Sequence, residues 1–166
     1  MFTEPKWLTT ARRLIGTKEQ AGKSSNSVIL GWAAAMSPWV KEFYQDDDIP
    51  WCGLYVGYCL QVNGIEPPKD VLAARAYATW GEPCDPSIPG TILVFSRNGG
   101  GHVGFYIAED EHHYHVLGGN QSNSVNVARI AKSRCIGKRW PAGQSKPWFG
   151  KPVWRSASGP VSVNEA

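Results

Sequence analysis

Apolar residues recur at helical spacing through the first half of the chain and at a spacing of two through the second. After Pro5, the residues Trp7, Leu8, Ala11, Leu14 and Ile15 share one helical face, with Thr3 as the expected N-cap and Gly16 as the stop. Thr17 to Ser27 is polar and loop-like. Short helices are expected over 28–32 and 40–44, separated by Ser37-Pro38. The run Asp46-Asp47-Asp48-Ile49-Pro50 turns into an apolar helix over 51–62 that ends at Asn63-Gly64. Pro67-Pro68 breaks the chain, and Val71, Leu72, Ala74, Tyr77 and Ala78 predict another helix over 70–80. Gly81 to Pro89 reads as irregular.

Beyond this the period becomes two. Strands are expected over 91–95, 102–108, 114–117, 124–129 and 135–140, the first two joined by a Gly-rich turn over 97–101. Helices followed by an antiparallel meander give an α+β class, with N-terminal helices packed on a C-terminal sheet of about five strands. Residues 1–144 form the expected single domain. Residues 145–166, rich in Pro, Gly and Ser, read as an extended tail, either packed by Trp148 and Trp154 or loose at its end.

The 166 residues carry a net charge of +3 with both signs mixed, which is no nucleic-acid signature. No stretch approaches a membrane span, and the start lacks the charged-then-apolar order of an export signal. A protein made in the cytosol is expected. The four cysteines, at 52, 59, 84 and 135, have neither metal-type nor disulfide-framework spacing and read as reduced thiols.

Chemistry concentrates in Pro50-Trp51-Cys52-Gly53 and Gly101-His102-Val103-Gly104. Cys52 opens the apolar helix, where unpaired N–H groups and the helix dipole favour a thiolate. Cys59 lies two turns deeper, about 10 Å away, too far for a disulfide and placed to remain a protonated packing residue. His102 begins a strand whose same-face neighbours are Gly104, Tyr106 and Ala108. Gly53, Gly57 and Gly104 together predict a close approach of this helix to the sheet beside the histidine.

If the hairpin after His102 centres near Glu111, residue pairs sum to about 222 and His102 faces Asn120, which would hold one imidazole nitrogen while the other meets the thiol. A one-residue slip would substitute Gly119 or Gln121. His112, His113 and His115 read as solvated turn residues, because no second ligand cluster has zinc-type spacing. Asp46-Asp47-Asp48 lacks the spacing of a calcium loop and reads as charge before a helix N-terminus. Neither a metal nor a cofactor is expected.

These residues resemble those of the CHAP and NlpC-type amidase superfamily, which has a papain-like fold, and most closely a phage- and prophage-associated branch of cell-wall hydrolases. The resemblance covers about residues 5 to 141. It rests on Gly16-Thr17-Lys18-Glu19, Asp48-Ile49-Pro50-Trp51-Cys52, Ala74-Arg75-Ala76-Tyr77, Pro89-Gly90-Thr91-Ile92-Leu93-Val94-Phe95, Gly101-His102-Val103-Gly104-Phe105-Tyr106 and Gly118-Gly119-Asn120-Gln121. It implies Cys52 as nucleophile, His102 as base and Asn120 as the residue orienting the histidine. Trp51 and Gln121 would line the cleft, and the Cys52 backbone N–H with Tyr44 would bind the oxyanion.

The implied substrate is peptidoglycan, cut at an amide in or next to the stem peptide by a monomer that needs neither membrane insertion nor nucleic acid. The protein would reach the wall through a holin, a phage particle or a secretion system. One departure stands out: many NlpC-type enzymes have Asp-Cys-Ser at the nucleophile, where this chain has Trp51-Cys52-Gly53. Two other classes remain open. One is a non-catalytic wall-binding or phage-tail module, which the eight tryptophans would suit. The other is a thiol acyltransferase or a different amide hydrolase on the same fold.

Overall fold

The computed structural model describes residues 3–20, 26–45, 49–147 and 150–165. Four helices come first: α1 (Lys6–Arg13), α2 (Ser27–Ala34), α3 (Pro38–Phe43) and α4 (Cys52–Gln61). Six strands follow: β1 (Glu82–Pro83), β2 (Ile92–Arg97), β3 (Gly100–Glu109), β4 (His113–Gln121), β5 (Ser124–Ala131) and β6 (Cys135–Trp140). They form one antiparallel sheet in the order β1-β6-β2-β3-β4-β5. The α+β pattern is therefore as expected, with a sixth strand. Glu82 and Pro83, in the stretch read as irregular, pair with Trp140 and Arg139. The acidic run at 46–48 and Trp148 lie outside the described residues.

Two local expectations are corrected. The N-cap of α1 is Pro5, not Thr3; the Pro5 carbonyl accepts the N–H groups of Leu8 and Thr9 at 2.9 and 3.1 Å. Pro5 and Trp7 pack together at Gly90, where the Trp7 indole donates to the Gly90 carbonyl at 2.9 Å. The helix expected over 70–80 is only a 3-10 turn at Ala74–Thr79. The Tyr77 hydroxyl contacts the carbonyls of Gly53 (2.7 Å) and Val71 (3.2 Å), so Val71 is held by a side chain instead of an ordinary helical bond. The described residues after Ser145 run extended and are bonded to the sheet. Glu109 donates to Val153 and accepts from Arg155, and Arg129 donates to Pro160 and accepts from Ser162, all at 2.8–2.9 Å. This strap runs from β3 to the free edge of β5. Trp154 is exposed, with the Lys132 ammonium 4.8 Å from its ring centroid.

The sheet buries both faces. Val103, Phe105, Ile107 and Leu117 join the helices in the larger core. Leu93, Phe95, Tyr106, Tyr114, Val116 and Ile130 form the smaller one on the opposite face. Trp7, Trp32, Trp51 and Trp140 are all buried in the larger core. Trp51 donates its indole N–H to Glu19 at 3.1 Å, and the Glu19 backbone N–H bonds Asn123 O at 2.8 Å. The segment following α1 thus ties α4 to the β4–β5 hairpin.

The glycines separate into different packing roles. Gly53 abuts the Val71 and Leu72 backbone, and Gly57 abuts Val71 and the Tyr77 hydroxyl. Gly104 faces Val116 and the β4 backbone, not α4, so the predicted meeting of three glycines does not occur. Gly119 takes that place: a Cβ there would lie 2.8 Å from both Trp51 and Tyr55. Since the contacts include a rigid indole and the Tyr55 Cβ, relief requires movement of α4. Gly119→Ala is expected to destabilise the fold by about 1–3 kcal/mol in urea unfolding, whereas Gly143→Ala, with open space around it but φ +77°, should act only through its own backbone.

Candidate active site

Helix α4 delivers Cys52 to the place where β3 and β4 part. The pairing of these strands runs from Glu109↔Tyr114 to Phe105↔Leu117 and extends no further toward His102. Cys52 lies beside the freed stretch, where the N–H groups of Val103 and Gly53 favour its thiolate. Upstream, the Tyr44 hydroxyl donates to the Ile49 carbonyl at 2.9 Å. That proton is engaged in holding the segment before Cys52, which argues against its expected role as an oxyanion donor.

His102 comes from β3. Its ring stacks on Phe95, its partner on β2, at a centroid distance of 6.4 Å. Its Nε2 lies 3.0 Å from Gln121 Oε1. The Gln121 amide nitrogen is already committed, donating to the backbone carbonyls of Val116 (3.2 Å) and Asn126 (2.9 Å) and lying 3.1 Å from Asn126 Oδ1. The Gln121 oxygen must therefore face the imidazole and accept from Nε2–H. That fixes the tautomer. Nδ1 is buried with no hydrogen-bond partner among the described residues, and it is the ring nitrogen left for the thiol.

This arrangement replaces Asn120 with Gln121 as the residue orienting the histidine. The register sum of 222 holds at Phe105↔Leu117 and Tyr106↔Val116. Between Gly118 and Gln121, however, β4 carries one residue more than β5. Asn120 sits at this bulge with φ 57°, and the extra residue brings Gln121 onto the face of Gly118 and His102. A side chain at Gly118 would strike the Gln121 amide. Gln121 is 1% exposed and Trp51 0%, so neither lines a cleft: one holds His102 and the other is packed on Trp32 and Gly119.

The electrostatics of Cys52 and His102 are reciprocal. Burial pushes the thiol up, but the neighbouring imidazole of His102 and its charge, aided by the Val103 and Gly53 N–H groups, outweigh it and hold Cys52 below its ordinary value. Burial likewise pushes His102 down. Cys52, the carboxylate of Glu165 and the bond from Gln121 outweigh that, and His102 is raised. Each group thus shifts the other toward its charged form. Cys59 has no such partner, and burial alone drives its thiol far up. All four cysteines are free. The expected bystander role of Cys59 agrees with its surroundings.

The histidines of the 110–115 turn differ from the expected solvated set. His112 is exposed, but His115 is buried with Nε2 2.8 Å from Asp110. Arg129 donates to the same carboxylate at 2.9 Å, and His113 lies beside it. Arg129 is the main cause holding Asp110 well below the usual carboxylate range. This is an ion-pair network at the sheet end. Among the described residues no group of three His, Cys, Asp or Glu is arranged to hold a metal ion.

Two features of the site were missed in the sequence: the Val103 N–H at the strand split and the carboxylate of Glu165. Strand periodicity carries no signal for either. The two positive-φ residues Ser122 and Asn123, which close the Gln121↔Ser124 turn, are the local sequence feature that could have suggested Gln121.

Comparison with protein-family models, with curated proteins and with solved structures returned no match.

The assignment of Gln121 separates two variants. Gln121→Leu should slow iodoacetamide alkylation of Cys52 near neutral pH by about tenfold, through loss of the imidazolium. Asn120→Gly, which suits φ 57°, should leave it within about twofold. Site-resolved mass spectrometry reads both rates.

Proposed function

We propose that this chain is a cysteine amidohydrolase of the CHAP/NlpC type, papain-like in fold, acting on an amide bond in or next to the peptidoglycan stem peptide. The observation that carries the reaction class is the placement of Cys52 at the start of α4 beside the parted end of β3, with Gln121 fixing the imidazole of His102; the shifts of both groups toward charge agree with it. Substrate class and fold family rest on the sequence resemblance.

In the proposed reaction the Cys52 thiolate attacks the amide carbonyl carbon and forms a tetrahedral adduct. The backbone N–H of Cys52 at the start of α4 is the proposed oxyanion donor. As the C–N bond breaks, His102 gives its Nδ1 proton to the leaving amine, and the acyl group remains as a thioester on Sγ. Neutral His102 then takes a proton from water, the hydroxide attacks the thioester, and the carboxylic product leaves with thiolate and imidazolium restored. Gln121 takes the place in this scheme that the resemblance gave to Asn120.

The burial of Trp7, Trp32, Trp51 and Trp140 weakens the alternative of a wall-binding module, because half of the eight tryptophans serve the core. No described helix is long and apolar enough to cross a membrane. The proposed setting is a monomer that meets the wall after release by a holin, a phage particle or a secretion system.

The test uses purified peptidoglycan. Cys52→Ala should abolish release of muropeptides while retaining the fold, and Cys59→Ala should keep most of the rate. Retained hydrolysis by folded Cys52→Ala would refute the mechanism, and mass spectrometry of the products identifies the bond cut. A protein whose wild type releases nothing, yet sediments with the wall, would support the binding module instead.

A further inference from the structure

Glu165 is a carboxylate buried in the strap, its side chain 0% exposed. Arg134 grips both of its oxygens, Nη2 to Oε1 at 2.6 Å and Nη1 to Oε2 at 3.2 Å, and the Ser162 hydroxyl donates to Oε2 at 2.6 Å. Arg134 is itself anchored on β2, donating through Nε to the Ser96 carbonyl at 2.9 Å and through Nη1 to Ser162 O at 3.1 Å. Ser96 follows Phe95, the residue that pairs with His102 across the ladder and stacks on its ring. The strap's carboxylate is thereby fixed to the β2 segment that carries Phe95, the ring stacked on His102, and its charge acts on that imidazole.

A buried ion pair is a weak source of stability, because desolvation offsets its attraction. Such a clamp calls for another account, and its location supplies one. We propose that Glu165 is a positioning residue for the Cys52–His102 pair: its carboxylate, fixed by Arg134 and Ser162, holds His102 in the doubly protonated form that faces the thiolate. Residues 151–165 then belong to the working domain and are not an appendage. The inference rests on the proposed cysteine hydrolase reading and adds a third charge to it.

The charged and titratable groups around His102 among the described residues include Arg75 and Arg97, which donate to the Gly100 and Gly101 carbonyls just before it at 3.0 Å each, and groups from two further elements. Cys52 approaches from α4, while Glu165, with Arg134 behind it, approaches from the strap and the 132–134 turn. Gln121 and Phe95, the other neighbours, are uncharged. Neutralising Glu165 removes one favourable charge and leaves Arg134 uncompensated. Both changes disfavour imidazolium, so their signs agree.

The test is an NMR titration of the His102 ring in the intact, substrate-free protein. In Glu165→Gln the His102 midpoint should move to lower pH by about half a unit or more, and Glu165→Asp, which keeps the charge, should recover most of that shift. If Glu165→Gln fails to fold, Glu165→Asp, which draws the carboxylate back by one methylene, should still move the midpoint to lower pH by a smaller step. An unchanged midpoint in a folded variant overturns the proposal. Because no substrate is present, a chain that shows the shift but never hydrolyses peptidoglycan would retain the coupling and overturn only the proposed function.

Discussion

The site depends on which way one amide faces. Gln121 spends its nitrogen on Val116 and Asn126, leaving its oxygen for His102. That choice puts a proton on Nε2 and leaves Nδ1 as the ring nitrogen available to the thiol. Were the amide reversed, two N–H donors would face carbonyl-free imidazole and the buried carbonyls of Val116 and Asn126 would lose a partner, at about 1–3 kcal/mol for each unsatisfied group. The bulge at Asn120, the absence of a side chain at Gly118 and the tight Ser122-Asn123 turn all serve this orientation.

Around that bond the structure resolves a conflict between burial and charge. Cys52 is 5% exposed and His102 0%, conditions that by themselves favour neutral groups. The charged pair is sustained because donors and charges arrive from separate elements: Val103 N–H from the parted strand, Gly53 N–H from the first turn of α4, Gln121 from the bulge and Glu165 from the strap. Parting of β3 from β4 is therefore productive. It frees a backbone donor that continued pairing would have consumed, and Gly119 lets α4 come close enough to use it.

The order of elements and the two residues of the pair were legible in sequence because both follow from periodicity. An apolar helix beginning at Cys52 and a strand alternating from His102 are local patterns, and side-chain burial enforces them. Hairpin register was legible as far as Phe105↔Leu117 for the same reason. It failed at Asn120 because a bulge changes parity without changing composition. Trp51 was misjudged because proximity in sequence to Cys52 does not determine the direction of its ring, which Glu19 and Trp32 draw into the core. His115 was misjudged because Arg129, which shares the Asp110 carboxylate with it, belongs to another strand, and the bonds of the strap to Glu109 and Arg129 were not legible because they are long-range.

The central claim is that electrostatics, not exposure, sets the reactivity of Cys52. The two criteria order the thiols oppositely, since Cys135 is the more exposed while burial raises its thiol value. Limited alkylation of the native wild-type protein with iodoacetamide at about pH 6, well below the ordinary thiol range, followed by mass-spectrometric mapping of residues 52, 59, 84 and 135, separates them. The account predicts label on Cys52 first and nearly alone. Label on Cys135 before Cys52 would contradict it.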